Sequence, residues 1–201
     1  MKNKISARTL ATVAILGAVS TVLMYLEFPL PFLIPPFIRF DFADIPALLA
    51  SFAMGPVAGI SVCLIRCTVH LLASQSAGVG ELANFLLGCF FVLPAGLVYG
   101  KIKTRGGALI GAACGAVLMT AASLPVNLFI TYPFYISAYG MTEEAILSAY
   151  RAIIPSTKNL VSALIIFNMP FTFLKGAATT LVTFLIYKRL SPILHSKDRQ
   201  K

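Results

Sequence analysis

Six apolar stretches, parted by prolines, glycines and short basic or polar segments, make up nearly the whole chain. They fall at residues 9–28, 43–54, 57–74, 81–100, 106–136 and 160–187. An α-helix needs about 20 apolar residues to cross a hydrocarbon core of about 30 Å, so five runs are long enough and the second is short. Charged residues are only 11% of the chain and mean hydropathy is +0.88, whereas a soluble domain carries roughly 25% charge. The expected fold is an all-α integral membrane protein with six transmembrane helices in one bundle. At 201 residues this leaves room for one transmembrane domain, residues 1–201, with tails at about 1–8 and 189–201.

The formal net charge of +9 is placed for a membrane and not for a nucleic acid. Lys2, Lys4 and Arg8 precede the first run, Lys101, Lys103 and Arg105 share one turn, and Lys188, Arg189, Lys197, Arg199 and Lys201 close the chain. Six crossings put all of these on one side, leaving Arg39, Arg151 and Lys158 on the other. The positive-inside rule then makes both termini cytoplasmic in a multi-pass protein of the cell membrane. Lys2, Lys4 and Arg8 before an apolar run have a signal-peptide look, but residues 9–28 hold no convincing cleavage site, so a retained first helix is expected.

Prolines 29, 31, 35 and 36 forbid a regular helix after the first run. Residues 106–136 are too long for one straight helix, and Pro125 and Pro133 predict a bend or unwinding there. The polar stretch 137–158 holds Thr142-Glu143-Glu144, a start signal for a short surface helix.

Polar residues inside apolar runs are costly and are therefore candidates for function. Lys175 and Thr172, three residues apart, share a helical face near Pro170, which leaves the carbonyl of Ile166 without its helical donor. Lys175 either meets a ligand or closes an internal salt bridge. Arg66 has the same two readings, with Glu81 or an aspartate as partner. Asn127 offers an amide that either binds a ligand or joins helices. Glu81 and Asn84 begin the fourth run, where a carboxylate also serves the helix dipole. Asp41 and Asp44 start the second run as caps, a role compatible with ligand contact. Phe28, Phe32, Phe37, Phe40, Phe42, Tyr132, Phe134, Tyr135 and Tyr139 gather at one side as an interfacial belt, as stacking surface for a flat ligand, or as both.

Cys63, Cys67 and His70 lie along one stripe, but no second Cys or His pair completes a zinc site, and no metal is expected. The four cysteines sit in apolar runs and suit small buried groups better than disulfides. There is no G-x-x-x-x-G-K-[ST] loop, no H-E-x-x-H and no G-x-S-x-G, so energy for any transport must come from another chain. Ala7, Ala11, Ala14 and Ala18 form a small-residue stripe that fits close approach by another helix, within the bundle or from a partner. Gly107, Gly111 and Gly115 form a similar seam, assigned to internal packing. An intramembrane enzyme using Glu81, His70 or Lys175 as acid or base is the competing reading.

Residues 28–33 (FPLPFL), 40–49 (FDFADIPALL), 52–59 (FAMGPVAG), 80–88 (GELANFLLG) and 170–176 (PFTFLKG), with the alanine stripe, resemble the riboflavin-binding S components of energy-coupling factor transporters. The resemblance covers residues 7–190. It implies that riboflavin is captured at the outer face as a transported ligand, with no cofactor. It further implies docking on a transmembrane coupling subunit, the T component, driven by two cytoplasmic ATPases. The pocket would be closed by the loop after the first helix and lined by the last three, with Asn127, Thr172 and Lys175 hydrogen-bonding the polar edge of the ring. Glu81 and Asn84 would meet the ribityl hydroxyls, and Asp41, Phe42 and Tyr132 would complete the substrate set. The chain departs from that pattern at Thr172, where asparagine is expected, and at Arg66, where lysine is. An S component for another flat vitamin is the alternative within the same architecture.

Overall fold

The computed structural model describes residues 6–194, and side chains as far as residue 186. Lys2, Lys4, Lys197, Arg199 and Lys201, and the side chains of Lys188 and Arg189, lie outside the described residues, as do most of the two tails.

The chain forms α1 (Ala7–Tyr25), β1 (Phe28–Pro29), β2 (Arg39–Phe40), α2 (Asp44–Met54), α3 (Pro56–His70), α4 (Val79–Lys101), α5 (Arg105–Val126), α6 (Tyr132–Tyr139), α7 (Glu143–Arg151), α8 (Leu160–Ala163) and α9 (Met169–Leu194). Two π-helical segments intervene, Asn127–Thr131 between α5 and α6 and Leu164–Asn168 between α8 and α9. Five helical stretches are long and apolar enough to cross a membrane: Ala7–Tyr25, Pro56–Ala73, Val79–Lys101, Arg105–Tyr139 and Leu160–Ile186.

The sixth predicted span, α2, has 11 residues and at 1.5 Å per residue reaches about 16 Å, roughly half a hydrocarbon core. Every residue from Asp44 to Phe52 is buried, so α2 is the core around which longer helices close. Gly55, at φ 96°, makes the reversal into α3, and Pro56 opens that helix, where its missing N–H costs nothing.

The stretch rich in prolines is not wholly irregular, because β1 and β2 pair antiparallel with Phe28 opposite Phe40 and Pro29 opposite Arg39. Residues 106–136 do not unwind; they stay helical, with a π segment two residues past Pro125. Thr142 caps α7 by accepting from Ala145 N–H at 3.1 Å, and the buried residues of that helix are Ile146, Leu147 and Tyr150.

Two cores result. One joins α1 to α5 through Leu48, Val62, Phe91, Ala112 and Met119. The other joins the β1–β2 loop to α6, α7 and the start of α9 through Ile34, Tyr132, Tyr150, Leu164 and Phe171. Gly111 and Gly115 belong to the first: an added Cβ would lie 2.7 Å from the Ala95 carbonyl oxygen and 2.3 Å from that of Phe91. Backbone touches backbone there, as the glycine spacing predicts. In α1, Val13, Gly17, Ser20, Thr21 and Met24 face inward, whereas Ala7, Ala11, Ala14 and Ala18 are all exposed. The bundle therefore leaves the alanine stripe uncovered.

Candidate ligand-binding site

At the proline-rich end, the β1–β2 loop, the α3–α4 turn and the α6–α7 connection come together. Arg39 donates to Glu27 at 3.2 Å and to Gln75 at 3.0 Å, stitching the first loop to the second. Beneath them lies a cavity of about 370 Å³, within the usual range of about 300–1,000 Å³ for small-molecule sites.

Its floor is ionic. Asp41 turns one carboxylate oxygen to Ala43 N–H at 2.8 Å, starting α2, and the other accepts from Lys175 Nζ at 2.8 Å. Lys175 Nζ also lies 3.7 Å from Asp44 Oδ2, while Asp44 Oδ1 accepts from Arg66 Nη2 at 2.6 Å. Two acids and two bases make a formally neutral quartet, which is how four charges tolerate removal from water. Arg66 is 1% exposed, and its Nε and Nη1 have no partner among the described residues. Gly88 makes space for it, since a Cβ there would sit 2.9 Å from Nη2. The partner of Arg66 is thus an aspartate and not Glu81. Lys175 closes an internal salt bridge and also lines the cavity, with ammonium hydrogens to spare.

The wall from α9 carries Lys175, Thr172 and, one turn further out, Asn168. Facing it, α4 supplies Glu81, Asn84 and Leu87. Glu81 is largely committed within the protein: its oxygens lie 2.8 Å from His70 Nδ1, 2.8 Å from Ser74 Oγ and 3.0 Å from Ser76 Oγ. That leaves Asn84 the freer polar group on this wall. Asn127 lines the cavity too, with one Nδ2 hydrogen spent on the Ser123 carbonyl at 2.7 Å. Its side-chain oxygen takes no donor among the described residues and faces no such commitment. Phe37, Ile38, Tyr135 and Tyr139 form the aromatic and aliphatic roof.

Of the eight residues expected from sequence to contact substrate, Glu81, Asn84, Asn127, Thr172 and Lys175 meet at the cavity. Asp41 stands behind Lys175, Phe42 packs edge-on against Phe40 with centroids 5.1 Å apart, and Tyr132 is buried behind Asn168. Sequence reasoning passed over Asn168 although the available signal was the one used for Asn127, an amide two residues from a proline in an apolar run. Tyr150 donates to Asn168 Oδ1 at 2.7 Å, Asn168 Nδ2 lies 3.4 Å from Tyr132 Oη, and the two tyrosine hydroxyls are hydrogen-bonded to each other. Burial raises the Tyr150 phenol well above its ordinary range, which keeps its proton in place. Cys63, Cys67 and His70 line one face of α3, but no group of three or more His, Cys, Asp or Glu side chains among the described residues is placed to hold a metal.

The family described as "ECF transporter, substrate-specific component" matches residues 8–187. The chain belongs to that family. This S component is 33% identical to "Riboflavin transporter RibU" of Staphylococcus aureus (strain TCH60), over 93% of its own length and 92% of the relative's. It is 31% identical to "Riboflavin transporter FmnP" of Bacillus subtilis (strain 168), over 92% and 93%. A solved structure described as "Structure and mechanism of the S component of a bacterial ECF transporter" superposes with a TM-score of 0.73 at 33% identity, covering 94% of this chain and 98% of that one. The S component is therefore a multi-pass membrane protein that serves transport, and the enzyme reading of Glu81, His70 and Lys175 falls away.

Proposed function

We propose that this S component binds riboflavin in the cavity at the outer face of the cell membrane and delivers it, as cargo and not as cofactor, for ATP-driven uptake. The observation that carries the reading is the convergence of Asn127, Thr172 and Lys175 on one cavity under an aromatic roof. The flavin ring has a polar edge of carbonyls and an imide N–H, needing both donors and acceptors, and an apolar edge that aromatic and aliphatic groups cover. Asn127 supplies an acceptor, Lys175 a donor and Thr172 either. The names of two relatives more than 30% identical, both riboflavin transporters, support the same ligand. Titration of purified protein with riboflavin, followed by flavin fluorescence, tests it: quenching with saturation is expected, and tight binding of thiamine or biotin with none of riboflavin would sink it.

Delivery needs a partner, because the chain carries no phosphate loop of its own. The exposed stripe Ala7, Ala11, Ala14 and Ala18 supports docking of the T component there, with two cytoplasmic ATPases behind it. Ala14→Trp or Ala18→Trp should abolish uptake and co-purification of the T component while riboflavin binding in detergent persists. Uptake that survives both changes moves the docking face elsewhere. Cytoplasmic termini follow from the cluster of Lys101, Lys103 and Arg105 at the end opposite the cavity; an impermeant thiol reagent on intact cells should label a cysteine at position 145 and spare one at 103.

A further inference from the structure

Asn168, Tyr132 and Tyr150 form a closed ring of hydrogen bonds, and counting hydrogens around it leaves one unspent. The two phenols hold one donor hydrogen each and the amide holds two, four in all. A three-membered ring consumes three of them. Whichever way the ring runs, the spare hydrogen is an amide N–H of Asn168, because each phenol has only one to give. The 2.7 Å separation from Tyr150 to Asn168 Oδ1 matches the usual O–H···O length of about 2.7–2.8 Å and is short for N–H···O. Tyr150 thus donates to Oδ1, Tyr132 to Tyr150, and Asn168 Nδ2 to Tyr132.

All three side chains are buried: Asn168 is 4% exposed, Tyr132 1% and Tyr150 0%. A buried amide N–H without an acceptor is expensive, so its direction matters. Of the three, Asn168 alone lines the cavity. It closes the π segment Leu164–Asn168, a local irregularity often kept for function. Thr172 and Lys175 follow it at spacings of four and three on the same face.

We propose that Asn168 is a ligand-contact residue, giving its second amide hydrogen to an acceptor atom of the flavin, and that Tyr150 and Tyr132 are positioning residues that fix the amide's orientation. The assignment rests on the riboflavin reading above. It makes the wall from α9 a ladder of three polar groups, and it ties α7, which lies outside the crossing helices, to the geometry of binding.

Asn168→Leu keeps the side chain's size and removes the donor; Asn168→Asp keeps an acceptor for Tyr150 and also removes it. Both should weaken riboflavin binding about tenfold or more in protein that elutes as a single species from a sizing column. Repeating the titration with lumiflavin, which has the same ring and a methyl group in place of ribityl, locates the acceptor. Equal loss for both flavins assigns it to the ring, and loss confined to riboflavin assigns it to a ribityl oxygen. Tyr150→Phe should weaken binding about threefold in the native background and add nothing in an Asn168→Leu background, because the group it orients is gone. Fully additive losses overturn the positioning role. Unchanged affinity of both Asn168 variants beside a wild type that binds overturns the contact, whereas a wild type that binds neither flavin overturns the riboflavin reading itself.

Discussion

Where α5 crosses α4 toward the basic end, Gly111 and Gly115 bring backbones together so closely that an added Cβ would overlap a carbonyl oxygen. At the other end of the same helix, Pro125, a π segment and Pro133 interrupt the regular ladder, and polar side chains look into a cavity. The first region is small-residue packing of backbone on backbone, close enough to be kept beside Pro94 in α4. The second gives up that regularity: the Asn127 side chain donates to the Ser123 carbonyl at 2.7 Å, and Asn127 and Thr131 of the π segment line the cavity. Close backbone packing and cavity-lining polarity thus fall at separate ends of one helix pair, and the ionic quartet lies between them.

The quartet gives the severest way to break this division. Arg66→Met leaves Asp44 with only the more distant Lys175, and should lower stability by about 3–5 kcal/mol. Arg66→Met with Asp44→Leu, which removes both charges, should recover most of that loss in thermal unfolding in detergent. By the same reasoning Lys175→Ala would strand Asp41 and lower stability, so the part Lys175 plays in the proposed flavin binding is read on a Lys175→Met, Asp41→Asn pair. Next in size, Gly115→Val should cost about 1–3 kcal/mol or more by forcing α4 and α5 apart, seen as a lower unfolding midpoint. Unchanged stability there would mean the two ends do not differ in packing.

Pro170→Ala sharpens the comparison from the other side. It restores a backbone N–H and favours a regular helix through the π segment, which would turn Asn168 off the cavity face. Stability should rise by up to about 3 kcal/mol, while riboflavin affinity falls about fivefold. Smallest of all, Glu144→Gln removes an exposed ion pair with Arg151 on α7 and should shift stability by less than about 1 kcal/mol. A larger shift would show that α7 is held by charge and not by Ile146, Leu147 and Tyr150.

What could be read from sequence divides along the same line. Apolar runs, the Gly107–Gly111–Gly115 spacing and the Thr142 cap are local patterns, and the helices and the seam follow from them directly. The short α2 was visible as a short run, though its burial on all sides was not, since that depends on which helices surround it. Charge partners were harder. Arg66 and Asp44 are 22 residues apart and Lys175 and Asp41 are 134 apart, so no periodicity links them. The π segments and the β1–β2 ladder were missed because a proline announces a break without saying which irregular structure repairs it. The hydrogen-bond ring around Asn168 was not legible because its partners, Tyr132 and Tyr150, come from two other elements.

The neutral quartet also has a consequence for how the protein is made. Asp44 and Arg66 sit on neighbouring helices joined by the turn at Gly55, so they leave the ribosome close together and can enter the bilayer as one compensated hairpin. Asp41 has no such companion, because Lys175 belongs to α9, 134 residues further along the chain. Until α9 arrives, burying the charged Asp41 carboxylate would cost several kcal/mol, which favours keeping the head of α2 near the water interface. The α9 crossing therefore carries the countercharge that lets the head of α2 be buried.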